Sequence, residues 1–187
     1  MVRINGIAKA VCERALDCVL FIDEAHQLIS STQGGSDDTF GREAVGALNK
    51  YMEDHRDRIC VIAAGYPDEM ERLFSADPGL RSRFTHKIVF EDYSAQEMLE
   101  IFKGMVTEGT LALADEAGPV LRQIFEEWER HPPAGFANAR DVRNLYQATR
   151  TAMSDRLVSG AVLENLSAEE LKTIVADDIK SAVSPPT

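Results

Sequence analysis

Two short apolar runs mark the first half of the chain, at residues 19–22 and 59–64. A run that is apolar on both faces is typical of a strand buried within a parallel sheet, whereas a surface strand alternates. A third apolar run, residues 87–90, predicts a third strand. Helical spacing predicts helices over residues 4–17, 40–54 and 68–75, and the polar, glycine-bearing segment 30–39 predicts a loop. The alternation of strands and helices indicates a parallel α/β core over residues 1–91.

From residue 92 onward the apolar spacing predicts helices alone. Ser94 with Glu97, and Ser167 with Glu170, have the spacing of a capping box at the start of a helix. The apolar positions predict further helices over 115–130 and 139–157. The expected fold class is therefore α/β, with a small all-α bundle over residues 92–180 and a flexible tail over 181–187.

Composition narrows the partners and the compartment. A net charge of −11 argues against nucleic acid or an anionic membrane as the main partner. No apolar run has the length of a membrane span, and no signal-peptide pattern is present. The three cysteines have no metal-ligand spacing and are expected to be buried thiols in a reducing, cytoplasmic compartment. The four histidines are scattered, so no zinc site is predicted.

The candidate chemistry begins directly after the first apolar run, with the adjacent carboxylates Asp23 and Glu24. Ligands of open α/β sheets bind beyond the carboxyl ends of the strands, where these two residues fall. Such a pair suits nucleoside triphosphate hydrolysis, because one carboxylate orders Mg²⁺ through its water shell and the other polarises the attacking water. The alternative is structural: Asp23 caps a following helix and Glu24 lies in its first turn.

The order of motifs resembles that of an AAA+ ATPase, and more narrowly of the CbxX/CfxQ family. That family includes red-type Rubisco activases, stage V sporulation protein K and type VII secretion ATPases. The motifs that carry the resemblance are residues 19–24, 61–66, 77–84 and 136–144, and the similarity extends over about residues 4–179. It implies a partial AAA+ core followed by a helical lid.

The resemblance also implies roles for the first two motifs. Asp23 would order Mg²⁺ and Glu24 would activate water, as in a Walker B motif. Gly65 and Tyr66 would occupy the sensor-1 position, where many AAA+ proteins carry Asn or Thr; this departure leaves the sensor-1 residue open.

Four arginines complete the set of candidate site residues. The resemblance implies that Arg83 is the arginine finger that reaches the γ-phosphate in a neighbouring subunit, with Arg81 sharing or taking that role. It implies that Arg140 is sensor 2, with Arg143 as second choice. Arginine suits these roles because its planar, permanently charged fork stabilises phosphoryl transfer. The alternative is that these arginines are ordinary solvated surface charges. For Arg140 and Arg143, a cation near a helix N-terminus is mildly unfavourable, and this slightly favours a functional role.

The phosphate-cradling sequence of this family, Gly-x-x-x-x-Gly-Lys-[Ser/Thr], is not found among the 187 residues. We therefore expect the chain to be the C-terminal portion of an AAA+ module without its Walker A segment, and to bind ATP weakly or not at all by itself. Residues 87–90 would then have no obvious partner strand.

Two functions follow as hypotheses. In the first, the full-length protein binds and hydrolyses Mg-ATP in a hexameric ring and remodels an unidentified protein, in the manner of a Rubisco activase. In the second, the chain is a degenerate, non-catalytic AAA+-like module that serves as an interaction scaffold.

Overall fold

The computed structural model describes residues 3–29, 39–160 and 167–183. The chain divides into two compact units, Met1–Val89 and Phe90–Thr187. The first unit combines a parallel sheet with helices and the second is mainly helical, so the predicted fold class is confirmed.

The first unit is built around two parallel strands. Its elements are α1 (Arg3–Arg14), β1 (Cys18–Ile22), a 3-10 turn (Ala25–Ile29), α2 (Thr39–Asp54), β2 (Ile59–Ala63), α3 (Pro67–Ala76) and α4 (Pro78–Arg81). Strands β1 and β2 pair in parallel with Ile22 opposite Ala63, as the sequence predicts. Because parallel strands end at the same edge, the segments that follow β1 and β2 are brought side by side.

Only one face of this sheet is covered within the part of the unit that the structure describes. Leu20 and Ile22 pack onto a core that includes Val45, while Phe21 and Ile62 remain 59% and 48% exposed. The prediction that both strands are buried on both faces is therefore wrong. Helices pack against a single side, and side chains alternate between the two faces of a strand.

Two further expectations for this unit are corrected. Residues 87–90 do not form a strand, and Ile88 is 80% exposed. Extended backbone becomes a strand only when a neighbour accepts and donates its ladder hydrogen bonds, and no described strand pairs with this run. Of the three cysteines expected to be buried, Cys12 is, but Cys18 and Cys60 are exposed.

The second unit is a helical bundle with one small sheet. Its elements are α5 (Ala95–Glu108), β3 (Ala112–Leu113), α6 (Ala117–Arg130), α7 (Ala139–Gly160), a 3-10 turn (Glu170–Lys172), β4 (Thr173–Ile174) and α8 (Ala176–Val183). Strands β3 and β4 pair in parallel, so the expectation of helices alone after residue 92 is corrected. Runs of two residues carry no periodicity, and only the packing of the helices brings them together.

Both predicted capping boxes are formed. Ser94 and Glu97 exchange the reciprocal bonds that start α5. Ser167 and Glu170 do the same, with Glu170 Oε2 accepting from Ser167 N at 2.8 Å. The second box opens the 3-10 turn before β4 and not the helix that its sequence suggests.

The core of the second unit is aromatic at its centre. Phe102, Phe125 and Tyr146 are buried, and the rings of Phe102 and Tyr146 meet edge to face with centroids 5.6 Å apart. The C-terminal helix is tied to this core by an ion pair, because Arg156 donates from Nε to Asp178 Oδ1 at 2.7 Å. Asp178 is almost fully buried.

Some sequence-based expectations fall outside the described residues. The predicted loop at 30–39 does so except for Thr39, which begins α2. Of the predicted tail, residues 184–187 lie outside, while α8 continues to Val183. No helix in the described ranges has the length and apolar character needed to cross a membrane.

Candidate functional site

The segments after β1 and β2 are joined by two backbone hydrogen bonds. Ala64 N donates to Ile22 O, and Ala25 N donates to Ala64 O, each at 2.8 Å. The chain therefore leaves β1, turns through Asp23 and Glu24, and returns to the end of β2. Asp23 and Glu24 therefore lie at the carboxyl edge of the sheet.

Glu24 sits in a strained backbone conformation. Its φ is +50°, in the left-handed region that side-chain-bearing residues avoid at a cost of roughly 1–2 kcal/mol. Its N–H donates to Asp23 Oδ1 at 3.0 Å, which helps to hold this turn. Asp23 therefore bonds the next residue and caps no α-helix here. Asp23 is exposed and the Glu24 side chain is 41% exposed, so both carboxylates are accessible to solvent.

A histidine that sequence reasoning left out belongs to this edge. His26 Nε2 lies 3.3 Å from Glu24 Oε2, and its ring centroid is 6.1 Å from that of Tyr66. Its other nitrogen, Nδ1, is buried and has no hydrogen-bond partner among the described residues. The sequence did contain a signal for His26, because it lies only two residues after Glu24. Treating the four histidines as scattered along the chain overlooks that proximity.

Packing explains why residue 65, at the predicted sensor-1 position, is a glycine. A Cβ on Gly65 would lie 2.8 Å from Met70 Sδ and 3.0 Å from His26 Nδ1. A larger residue would displace the imidazole or the thioether. Tyr66 follows as the N-cap of α3 in extended conformation, and the residue is 61% exposed. Gly65 and Tyr66 are thus brought to the same edge as Asp23 and Glu24.

Arg83 is anchored within its own unit. Its guanidinium donates to Gly79 O at 2.7 Å and to Glu53 Oε2 at 2.9 Å, while its Nε is buried without a partner in the described residues. Only 26% of the side chain is exposed. Arg83 therefore ties α4 to α2.

Arg81 is the more exposed of the two candidate finger arginines, at 59% of its side chain. It donates to Glu71 Oε2 at 2.8 Å, and Lys87 Nζ lies 3.4 Å from Glu71 Oε1. The hydrogen bond from Arg81, its positive charge and the weaker bond from Lys87 lower the pKa of Glu71. Neither Arg81 nor Arg83 makes a described contact with Asp23 or Glu24.

Arg140 and Arg143 lie in the second unit, in the first turns of α7, and both are exposed. Within the described residues, neither side chain forms an ion pair or hydrogen bond. The backbone before them is held by Asn138, whose side chain donates to Asp92 Oδ1 at 2.6 Å and accepts from Tyr93 N at 2.9 Å. Asn138 thereby fixes the start of the helix that carries both arginines.

Asp23 is the carboxylate for which the sequence predicts contact with hydrated Mg²⁺. Within the described ranges, no three His, Cys, Asp or Glu side chains cluster as direct ligands. Hydrated Mg²⁺ requires only one or two protein carboxylates, because it keeps several of its waters. An exposed carboxylate whose Oδ2 forms no hydrogen bond with described residues fits that requirement.

Two family models account for nearly the whole chain. The model of the ATPase family associated with various cellular activities (AAA) matches residues 1–92, and that of the AAA lid domain matches residues 94–186. The chain therefore belongs to the AAA family, and the predicted resemblance is confirmed.

Individual relatives agree with this assignment. The chain is 38% identical over 174 residues to the protein CbbX of Cereibacter sphaeroides, which covers 93% of this chain and 54% of CbbX. It is 37% identical to the chloroplastic ribulose bisphosphate carboxylase/oxygenase activase of Cyanidioschyzon merolae, with 91% and 55% covered. It is 37% identical to the ESX-1 secretion system protein EccA1 of Mycobacterium leprae, with 95% and 32% covered. The chain spans about half the length of the first two relatives and about a third of the last.

Proposed function

We propose that this chain provides the hydrolytic carboxylates and the lid of an ATP-hydrolysing AAA+ machine. The observation that carries the proposal is the edge where β1 and β2 end: it holds two adjacent, accessible carboxylates, one of them in a strained turn. Backbone strain of this kind persists where the surrounding structure enforces it and is concentrated at functional sites. Family membership supports the same assignment.

Each carboxylate has a distinct task in this proposal. Asp23 would hold the water shell of Mg²⁺, and Glu24 would accept a proton from the water that attacks the γ-phosphate as its bond to the ADP oxygen breaks. Bound Mg²⁺ supplies neutralisation of the phosphate charge. Gly65 and Tyr66, which follow β2, occupy the sensor-1 position in this proposal, and the Tyr66 hydroxyl is the polar side-chain group that the pair can supply there.

The arginines supply positive charge in the proposal. Arg81 and Arg83 reach the nucleotide of a neighbouring subunit in a ring, which we propose to be hexameric. Of the two, Arg81 is better suited to leave its present contact, since its pair with Glu71 is exposed and exposed pairs are weak. Arg140, with Arg143 second, contributes charge from the lid.

The substrate of this machine is proposed to be a protein. One relative is named as an activase of a carboxylase/oxygenase enzyme and another as a secretion system protein. Both names are consistent with an ATPase that remodels proteins. The name of the activase favours a Rubisco-activase-like role. The proposed compartment is the cytoplasm.

The test is a Glu24→Gln substitution in the complete gene product that contains these residues. The variant should bind Mg-ATP with unchanged affinity and lose turnover by at least about 100-fold, since general-base catalysis contributes 10²–10⁴-fold. Asp57→Asn, at an exposed carboxylate between α2 and β2, is the control and should keep full turnover. Normal turnover in Glu24→Gln would rule out the assignment.

A non-catalytic scaffold is the second candidate. The observation in its favour is that no Gly-x-x-x-x-Gly-Lys-[Ser/Thr] sequence occurs among the 187 residues. It predicts that the complete gene product neither binds Mg-ATP nor hydrolyses it, and that Glu24→Gln changes nothing.

A further inference from the structure

The edge of the sheet contains one polar contact that the roles above do not use, between His26 and Glu24. We propose that His26 is a positioning residue for the Glu24 carboxylate, holding it through Nε2–H while Nδ1 of the same ring lies against Gly65. This inference rests on the proposed function, because it matters only if Glu24 activates water.

The two nitrogens of the His26 ring have different surroundings. Nε2 lies 3.3 Å from Glu24 Oε2, whereas Nδ1 is buried without a partner in the described residues and lies where a Gly65 side chain would otherwise be. A neutral imidazole has one N–H donor and one bare acceptor nitrogen. The arrangement fits the tautomer with the proton on Nε2, because the nitrogen that lies 3.3 Å from the carboxylate then carries the proton and no N–H is left at the buried, unpartnered Nδ1.

The ring is restrained and the carboxylate is not. The His26 side chain is 18% exposed and lies against Gly65, with the Tyr66 ring centroid 6.1 Å away, while the Glu24 side chain is 41% exposed. An exposed glutamate samples several rotamers, of which only some place its oxygen correctly. Contact with a fixed imidazole reduces that freedom, and this is how an outer-shell partner supports a catalytic group.

Gly65, just after the end of β2, has no side chain that could restrain the Glu24 carboxylate. His26 instead reaches the carboxylate from the segment after β1. The glycine is then explained as well: it leaves the space in which the imidazole is held. Gly65 and His26 are therefore coupled by packing, and a larger residue at position 65 should displace the His26 ring.

The contact is tested in the 187-residue chain, without nucleotide. Long-range ¹H–¹⁵N spectra of the imidazoles should show His26 as the Nε2–H tautomer, assigned by loss of its signals in His26→Gln. Glu24→Ala should convert it to a tautomer mixture and leave His55 unchanged. An Nδ1–H tautomer in the unmodified chain, or a His26 spectrum insensitive to Glu24→Ala, would overturn the proposal.

The consequence is tested by turnover of the complete gene product. His26→Phe keeps a flat ring without the donor and should lower kcat by on the order of 10-fold with KM unchanged, as for other outer-shell partners. His26→Gln, whose amide nitrogen can replace Nε2–H, should restore most of the rate. Gly65→Ala should lower kcat in the same direction by displacing the ring.

The controls separate this inference from the proposed function. His55→Gln, at a histidine whose ring centroid lies 4.4 Å from that of Tyr51, before β2 begins, should leave kcat unchanged. If Glu24→Gln abolishes turnover but His26→Phe does not change it, the inference is wrong and the function stands. If Glu24→Gln turns over normally, the proposed function fails, while the spectra still report whether the contact exists. Absence of rescue in His26→Gln would contradict the positioning role.

Discussion

The guanidinium of Arg83 donates to the carboxylate of Glu53 at 2.9 Å, so the arginine of the predicted finger motif is anchored to α2. One helical turn earlier, Asn49 donates to Asp77 Oδ1 at 3.3 Å. Asp77 also accepts from Leu80 N and so caps α4. Two positions on one face of α2 therefore hold both ends of the segment that carries the candidate finger.

This arrangement predicts different consequences for the two arginines. Arg83→Ala should destabilise the 77–84 segment by about 1–2 kcal/mol, because it removes bonds to Gly79 O and Glu53. Arg81→Ala should cost less than about 1 kcal/mol, since its pair with Glu71 is exposed. Amide hydrogen exchange measured on peptides from this segment distinguishes them. Equal protection in the two variants would contradict an anchoring role for Arg83.

The left-handed backbone of Glu24 makes a prediction that is independent of catalysis. Glu24→Gly and Glu24→Ala lose the same carboxylate, but glycine tolerates a positive φ and alanine does not. The glycine variant should be more stable than the alanine variant by about 1 kcal/mol in urea unfolding followed by far-UV circular dichroism. At Ala47, inside α2, substitution by glycine should have the opposite sign. A more stable Glu24→Ala would show that the turn is not strained in solution.

The Arg156–Asp178 pair should decide the stability of the second unit. Asp178 is almost fully buried, and it also accepts from Val175 N at 3.0 Å. Its hydrogen bonds with Arg156 raise the pKa of that guanidinium. Asp178→Ala leaves this network without its acceptor and should cost about 3 kcal/mol.

The readout is the fluorescence of Trp128, the one tryptophan of the sequence, which lies in α6 of the same unit. Lys180→Met, which breaks an exposed pair with Asp177 in α8, is the matched control and should cost less than about 1 kcal/mol. Similar losses in the two variants would mean that burial of the pair is unimportant.

The capping boxes predict acid sensitivity of the second unit. Bonds from the Ser94 backbone N–H, and then from its hydroxyl, stabilise the charged form and lower the pKa of Glu97. The stabilisation is present above the unfolded-state pKa of about 4.3 and is lost as pH falls through the lower folded-state value. The midpoint of unfolding, followed by Trp128 fluorescence, should therefore fall less below pH 5 in Glu97→Gln than in the unmodified chain. Glu170→Gln should have the same effect through the Ser167 box.

Glu126→Gln, at an exposed position of α6, should leave that pH dependence unchanged. An identical slope in all variants would show that the boxes are not formed in solution.

Nucleotide binding by the 187-residue chain should be weak or absent, because it contains no phosphate-cradling Gly-Lys motif. A ligand present at 100 times its Kd stabilises the folded state by about 2.7 kcal/mol. Thermal unfolding with millimolar Mg-ATP should therefore show no shift of that size, with Mg-ADP and Mg²⁺ alone as comparisons. A clear shift specific to Mg-ATP would show that other residues of this chain bind the phosphates.

The local patterns of the sequence were sufficient wherever one element decides the outcome. The helical spacing located α5, α6 and α7, and both serine–glutamate boxes are formed as their spacing predicts. The carboxylates after β1 were found because chain position alone places them at a strand end. Such features depend on neighbours within a few residues, so the order of residues contains the necessary information.

The remaining features needed the tertiary structure because they depend on what packs against what. An apolar run cannot reveal that one face of β1 stays open, or that residues 87–90 find no strand to pair with. Nor can it reveal that Arg83 is held by Glu53, 30 residues away, or that His26 meets Glu24 and the space left by Gly65. The sequence by itself determined which residues could do chemistry and which segments could be helices. Tertiary packing alone decided which strands pair, which arginine is anchored and which histidine touches the candidate base, because burial and contact are properties of the assembled fold.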